Sequence, residues 1–252
     1  MHGATLRRHF LRVLAMTGTG LVFGRWNGAH LVQAAQQEKT RASSHEDEDA
    51  KGEEVTAVED LMREHGVLRR ALLVYTAAAG KLRSDPATVA PEVLQKTAKL
   101  FRAFGEEYHE KKLEETHIFP AVKRAGGPAA SLPDILITQH QRGWEITDYI
   151  LAVTQGAKGG AGNAEPLAQA LDSFVLMYRQ HAAREDTIVF PAWKHTLSAT
   201  QLDELGAQFE AIEHQQFGED GFEDAVKQIS DIEGGLGLAD LAQFTAPSPP
   251  KL

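Results

Sequence analysis

The sequence predicts an all-α protein: an antiparallel up-down-up-down four-helix bundle with extra short C-terminal helices. Three observations lead there. Apolar residues recur at spacings of three and four through four long segments. Breakers separate those segments: SDP at 84–86, AGGP at 125–128 and GAKGGAGN at 156–163. No segment alternates apolar and polar residues as a half-buried strand would.

The first 34 residues stand apart from the rest. They hold four arginines (Arg7, Arg8, Arg12 and Arg25) and no acid, and a short apolar run from Val13 to Phe23 follows the Arg pair. That run is too short and too Gly-rich to span a membrane comfortably, a membrane anchor or a disordered basic tail being the alternative to export. Residues 1–34 read as a secretory signal, with a small-residue cleavage site near Ala34. Arg7-Arg8-His9-Phe10-Leu11 resembles the bacterial twin-arginine export signal. The expectation is a periplasmic or otherwise exported protein with no stable membrane insertion after cleavage. Residues 35–54, which include SSHEDEDAKGEE, are acidic and nearly free of apolar side chains, and read as a disordered linker. The bundle and its C-terminal extension are expected over 55–235, and a loose tail over 236–252.

Helix one begins near Val55, with Val58, Leu61, Met62, His65, Leu68, Leu72 and Tyr75 on its apolar stripe. SDP ends it and opens the next turn, with Pro86 at a favoured first position. Helix two runs from about Pro91 to Lys123, where AGGP breaks it. Ser131-Leu132-Pro133-Asp134 opens helix three, which continues to about Thr154. Helix four spans roughly Glu165 to Lys194. Ser198 caps a fifth helix, ATQLDELGAQFEAIEHQ, and EDAVKQISDIE forms a sixth.

Composition narrows the chemistry. The 252 residues contain no Cys, which excludes disulfides, thiolate metal sites, iron–sulfur clusters and Cys nucleophiles. Any metal site must use His and carboxylate. The net charge of −9 becomes −13 without the four N-terminal arginines, which argues against nucleic acid as a partner.

Seven of the eleven His lie in the helical part: His65, His109, His117, His140, His181, His195 and His214. In helix four, His181 and Glu185 are four apart and share a face, a two-toothed clamp for a borderline cation. Taken alone, a satisfied core His beside a surface salt bridge is the plainer explanation. Helix two repeats the phrase: HEKKLEETHIFP at 109–120 parallels HAAREDTIVFP at 181–191. Glu114 and Glu185 each sit five residues before the Phe, but His109 is ten before and His181 nine. A regular helix would turn His109 and Glu114 about 140° apart. A one-residue π-bulge between them restores a shared face, and such bulges gather at functional sites. A regular helix there would instead promote Glu110. Asp186 competes with Glu185 in helix four. His65 and His140 each sit on an apolar stripe of their own helix.

The stretches LMREHGVLRR, EEYHEKKLEETHIFPAV, ITQHQRGWEI and YRQHAAREDTIVFPAW, in that order, resemble the hemerythrin and HHE cation-binding domain family. The resemblance covers about Val58 to Trp193. It implies two non-haem Fe ions bridged by oxygen (oxo or hydroxo) and by two carboxylates, with other divalent metals also admissible. It implies His65, His109, His140 and His181 as terminal ligands and Glu114 and Glu185 as bridges. Two departures stand out. Trp144 replaces a second His expected one turn after His140, and the helix-four acid of the blood-type proteins would fall on Asp186. A fifth ligand could come from His117 or Glu110.

The function this implies is that of an exported di-iron protein binding O₂, NO or peroxide, for sensing, carriage or scavenging. A di-iron oxidase, peroxidase or NO-handling enzyme, an iron storage or buffering protein, and a metal-free helical interaction module are the alternatives. An external electron donor is the one further partner expected.

Overall fold

A computed structural model describes residues 55–155, 163–218 and 221–250. The expected signal (1–34), the acidic linker and most of GAKGGAGN lie outside the described residues. Among the described residues there is no strand, and no helix is long and apolar enough to cross a membrane.

Helix α1 spans Ala57–Ser84. Thr56 accepts from the Glu59 N–H while Glu59 reaches back to the Thr56 N–H, a capping box that starts the helix two residues later than Val55. Helix α2 is continuous but changes winding: α-helical over Pro91–Leu100, π-helical over Phe101–Ile118, and α-helical again over Phe119–Ala125. Gly126 and Gly127, both at positive φ, turn the chain out of it. Helix α3 spans Leu132–Thr154; Ser131 precedes it but makes no side-chain cap. Helix α4 runs through Ala164–Arg184, a π turn at Glu185–Val189, and Phe190–Lys194. Ser198 and Gln201 form the capping box of α5, Ala199–Phe217. Helix α6, Gly221–Leu236, is longer than its sequence pattern suggests, and Leu241–Phe244 forms a short 3₁₀ turn in the tail.

The first four helices form a closed ring of contacts, α1 on α2 and α4, and α3 on α2 and α4, while α5 and α6 lie against α1 and α2. Phe101, Phe104, Tyr108, Phe174, Phe190 and Trp193 are fully buried between them. Aromatic side chains of this size supply most of the apolar area that holds such an interior together.

The expected π-bulge is there, and it is larger than one turn. Helix four has one of its own, over Glu185–Val189. Both wide stretches end just before a Phe-Pro. The Phe119 N–H bonds to the Glu114 carbonyl and the Phe190 N–H to the Glu185 carbonyl, each five residues back. Pro120 and Pro191 follow, with no N–H to donate and a ring that crowds the carbonyl four residues back. A wider preceding turn relieves that crowding. The repeated spacing of Glu to Phe-Pro is therefore the length of one π hydrogen bond.

Candidate metal centre

Six residues meet in the middle of the bundle: His65 from α1, His109 and Glu114 from α2, His140 from α3, and His181 and Glu185 from α4. All are between 0 and 4% exposed. The π winding of α2 brings His109 and Glu114 to one face, with Nε2 3.3 Å from Glu114 Oε1. The other oxygen of Glu114 lies 3.4 Å from His140 Nε2. Glu185 divides itself in the same way, with Oε1 3.0 Å from His181 Nε2 and Oε2 3.5 Å from His65 Nε2. Each carboxylate thus spans two imidazoles from different helices.

The outer ring nitrogens explain how the rings are held. His65 Nδ1 lies 2.6 Å from Asp186 Oδ1, and Arg69 grips the other oxygen of that carboxylate. His109 Nδ1 lies 2.6 Å from Glu64 Oε2, and His140 Nδ1 2.8 Å from Glu115 Oε1. His181 Nδ1 lies 2.9 Å from Gln139 Oε1. Every partner is an acceptor, so the neutral ring carries its hydrogen on Nδ1 and turns the Nε2 lone pair inward. His140 Nε2 and His181 Nε2 face each other at 3.1 Å. Phe119 stacks on the His140 ring at 5.6 Å between centroids and Phe190 on that of His65 at 5.3 Å. The Phe of each Phe-Pro therefore braces a histidine of a neighbouring helix.

The centre that results is made almost wholly of acceptors. Both oxygens of Glu114, both of Glu185 and the Nε2 of His109 are buried and make no hydrogen bond. Their short separations from the rings lack the alignment of one. Buried carboxylates facing imidazole lone pairs are costly unless protons or cations lie between them. Two overlapping groups have donor atoms close enough to share an ion: Glu114, His140, His181 and Glu185, and His65, His109 and Glu114, each within 4.8 Å. Nitrogen and oxygen donors without sulfur suit iron, manganese or zinc. Glu114 belongs to both groups, the position of a bridging carboxylate.

Protons take the cation's place in the metal-free protein. Burial opposes charge on His109, but Glu114 and Glu64 outweigh it and hold the ring well above its ordinary value. Burial likewise opposes charge on His140, and Glu110, Glu114 and Glu115 outweigh it. Burial favours the neutral form of Glu185, but His181 and His65 hold it well below its ordinary value.

The other candidates fall outside the centre. Glu110 is buried, but it accepts from the Tyr178 hydroxyl at 2.8 Å and joins neither group. Asp186 orients His65. His117 is half-buried, 5.5 Å from the Phe209 ring on α5. The sequence reading missed Glu64, Glu115, Gln139 and Tyr108. Each of the four ring partners is the immediate neighbour of a central residue: Glu64 of His65, Glu115 of Glu114, Gln139 of His140, Asp186 of Glu185. A polar residue abutting each central position was the available signal. Tyr108 donates to Glu64 at 2.9 Å and lies 3.4 Å from Glu213 of α5, whose other oxygen accepts the Phe222 N–H of α6 at 2.6 Å. The C-terminal helices thereby join the centre's outer support.

A small cavity of about 20 Å³ adjoins the centre, lined by His65, His109, Glu110, Tyr178 and apolar side chains that include Leu68 and Phe101. That is room for about one water-sized molecule.

Comparison with known proteins agrees with this geometry. A family profile described as the hemerythrin HHE cation binding domain matches residues 56–193, which hold all six central residues. An uncharacterized protein of Mycobacterium tuberculosis (strain H37Rv) and one of Mycobacterium bovis are each 44% identical over 192 residues, covering 76% of this chain and 74% of theirs. No solved structure matches the chain.

Two expectations follow from the outer partners and the charges. Glu64→Ala frees the His109 ring, and metal affinity measured by competition with a chelator should fall about 10- to 100-fold; unchanged affinity would show that ring orientation does not matter. The second concerns pH. In the metal-free protein the stabilisation from His109 and His140 is full below their ordinary value of 6.5 and is lost as pH rises through their raised values. That from Glu185 is present above 4.5 and is lost as pH falls through its lowered value. Cation loading must expel the imidazole protons, so calorimetric titration should show tighter binding at pH 8 than at pH 6, with buffer-dependent heat from released protons. Equal affinity and no proton release would remove the histidines from the binding set.

Proposed function

This chain belongs to the hemerythrin HHE cation-binding domain family, and from that premise we propose that it is an exported di-iron protein that binds O₂ or a related small ligand for sensing, carriage or scavenging. The observation that carries this reading is the acceptor-only centre, in which two buried carboxylates each span imidazoles of two helices. His65 and His109 would hold one ion and His140 and His181 the other, with Glu114 and Glu185 between them. Two iron ions held in this way supply open coordination positions and a change of redox state.

The protein's own groups would do the rest. Asp186, Glu64, Glu115 and Gln139 fix the four rings, so the centre needs little rearrangement when it fills. Leu68, Leu72, Phe101 and Ala182 wall the adjoining cavity and keep bulk water from it. Its volume favours a diatomic or similarly small ligand over any larger substrate.

A second reading, a di-iron oxidase, peroxidase or NO-handling enzyme, draws on one observation. The two groups supply only four and three protein donors. Six-coordinate ions would keep several positions for reactants.

Reconstitution of the purified protein with ferrous iron tests both readings. Two ions per chain and the visible absorption of an oxo-bridged pair are expected after exposure to air, and spectral change without steady turnover on adding peroxide or NO. Steady consumption of either with an added reductant would favour the enzyme. More than two ions per chain would favour storage, and no bound metal would end all three. Export is tested by fractionating a bacterial host that expresses the full chain. The protein is expected in the periplasm, and Arg7→Lys with Arg8→Lys is expected to retain it in the cytoplasm. A cytoplasmic wild-type protein would refute export.

A further inference from the structure

The centre has a polar flank on the side of His140. A cleft of about 200 Å³ opens between α2 and α3, lined by Glu106, Glu110, Lys111, Glu115, His140 and Trp144 among others. Glu110 is the one residue common to the linings of this cleft and of the inner cavity. It is 3% exposed. Its Oε1 accepts from Tyr178 at 2.8 Å, whereas Oε2 lies 4.0 Å from His140 Nδ1 and takes no hydrogen bond. Gly143 makes this arrangement possible, because a Cβ there would collide with the Tyr178 hydroxyl. Glu110 thus presents one hydrogen-bonded oxygen and one held only by a long ion pair with His140, at the boundary between cleft and centre.

The other walls are unsuited to a charged visitor. Elsewhere the cavity is walled by Leu68, Leu72, Phe101 and Ala182, which offer a cation no oxygen to replace its water, and by Arg69, whose positive charge repels it. Carboxylate oxygens replace water step by step. Glu106, at one end of the cleft, is already engaged by Arg102 Nε at 2.8 Å and by the Thr147 hydroxyl at 2.5 Å. Glu115 is engaged by His140. Glu110 keeps an oxygen held by nothing shorter than the 4.0 Å ion pair to His140.

Building on the metal-binding reading above, we propose that this cleft is the route by which a divalent cation reaches the buried centre, and that Glu110 hands it across to the inner residues. Glu110 then serves transit, not residence: it takes the cation from the cleft on Oε2 while Tyr178 steadies Oε1, and yields it to Glu114 and the imidazoles. Lys111, exposed on the same wall, opposes entry by its charge.

Stopped-flow mixing of the metal-free full-length protein with cobalt(II) at low ionic strength tests this, read by the visible absorption of bound cobalt. Glu110→Gln keeps the acceptor for Tyr178 and removes the charge; it should slow bimolecular loading by about tenfold while saturation stays at two ions per chain. Gln141→Trp, an exposed change on the cleft wall away from the centre, should slow loading by obstruction. Lys111→Glu should speed it about threefold. Unchanged rates in Glu110→Gln and Gln141→Trp, beside a wild type that loads two ions, would overturn the route. Saturation of Glu110→Gln below two ions would overturn the transit role by making Glu110 a resident ligand. A wild type that takes up no cobalt or iron would sink the metal-binding reading itself, which separates the two failures.

Discussion

Two carboxylates with nothing to accept from are the constraint around which this bundle is built. Glu114 and Glu185 are fully buried, and their four oxygens face four imidazole nitrogens whose lone pairs also point inward. Left to themselves such groups repel one another and cost far more than their packing returns. Only positive charge placed between them makes the arrangement favourable. In the metal-free chain protons serve, which is why His109 and His140 hold theirs tightly. A pair of cations would serve better, with each carboxylate already spanning two rings. Much of the surrounding structure consists of arrangements that keep these six side chains in place.

The repeated Phe-Pro is the most economical of those arrangements. The proline disturbs the helix just before it, and the wide turn that results re-aims the acid five residues before the Phe. The phenylalanine packs on a histidine of a neighbouring helix, Phe119 on His140 and Phe190 on His65. One dipeptide therefore sets the direction of a carboxylate and braces an imidazole. Its occurrence in both α2 and α4 gives the centre an approximate twofold character, with Glu114 and Glu185 as counterparts. The extra residue between His109 and Glu114, compared with His181 and Glu185, is absorbed by the longer π stretch of α2.

Outside the centre, orientation passes from helix to helix. A residue next to a central position on a helix is turned about 100° from it, and so reaches the edge of the adjacent helix, where the Nδ1 of the next ring emerges. Glu64, Glu115, Gln139 and Asp186 all use that geometry. The support on the His109 side extends through Tyr108 and Glu213 to the backbone of α6, so the two C-terminal helices are more than a cover for apolar surface. On the His140 side a polar cleft between α2 and α3 reaches Glu110 and His140.

The sequence by itself determined the helices and their order, and its resemblance to a known family named the six residues that meet at the centre. Helical periodicity, caps and breakers act over a few residues, and two side chains on one helix share a face by spacing alone. That logic paired His181 with Glu185 and made a wide turn the condition for His109 and Glu114 to share a face, with Glu110 as the alternative. It could not choose among Glu110, His117 and Asp186 as further members, nor foresee the second π turn in α4, nor assign Glu64 to His109 and Glu115 to His140. Those outcomes depend on the rotation and axial register of one helix against the next, which the packing of Phe101, Phe174, Trp193 and their neighbours sets across the whole interior. Spacing along a chain fixes angles about one helix axis; only the packed bundle fixes the distances between axes, and those distances separate a residue of the centre from its support.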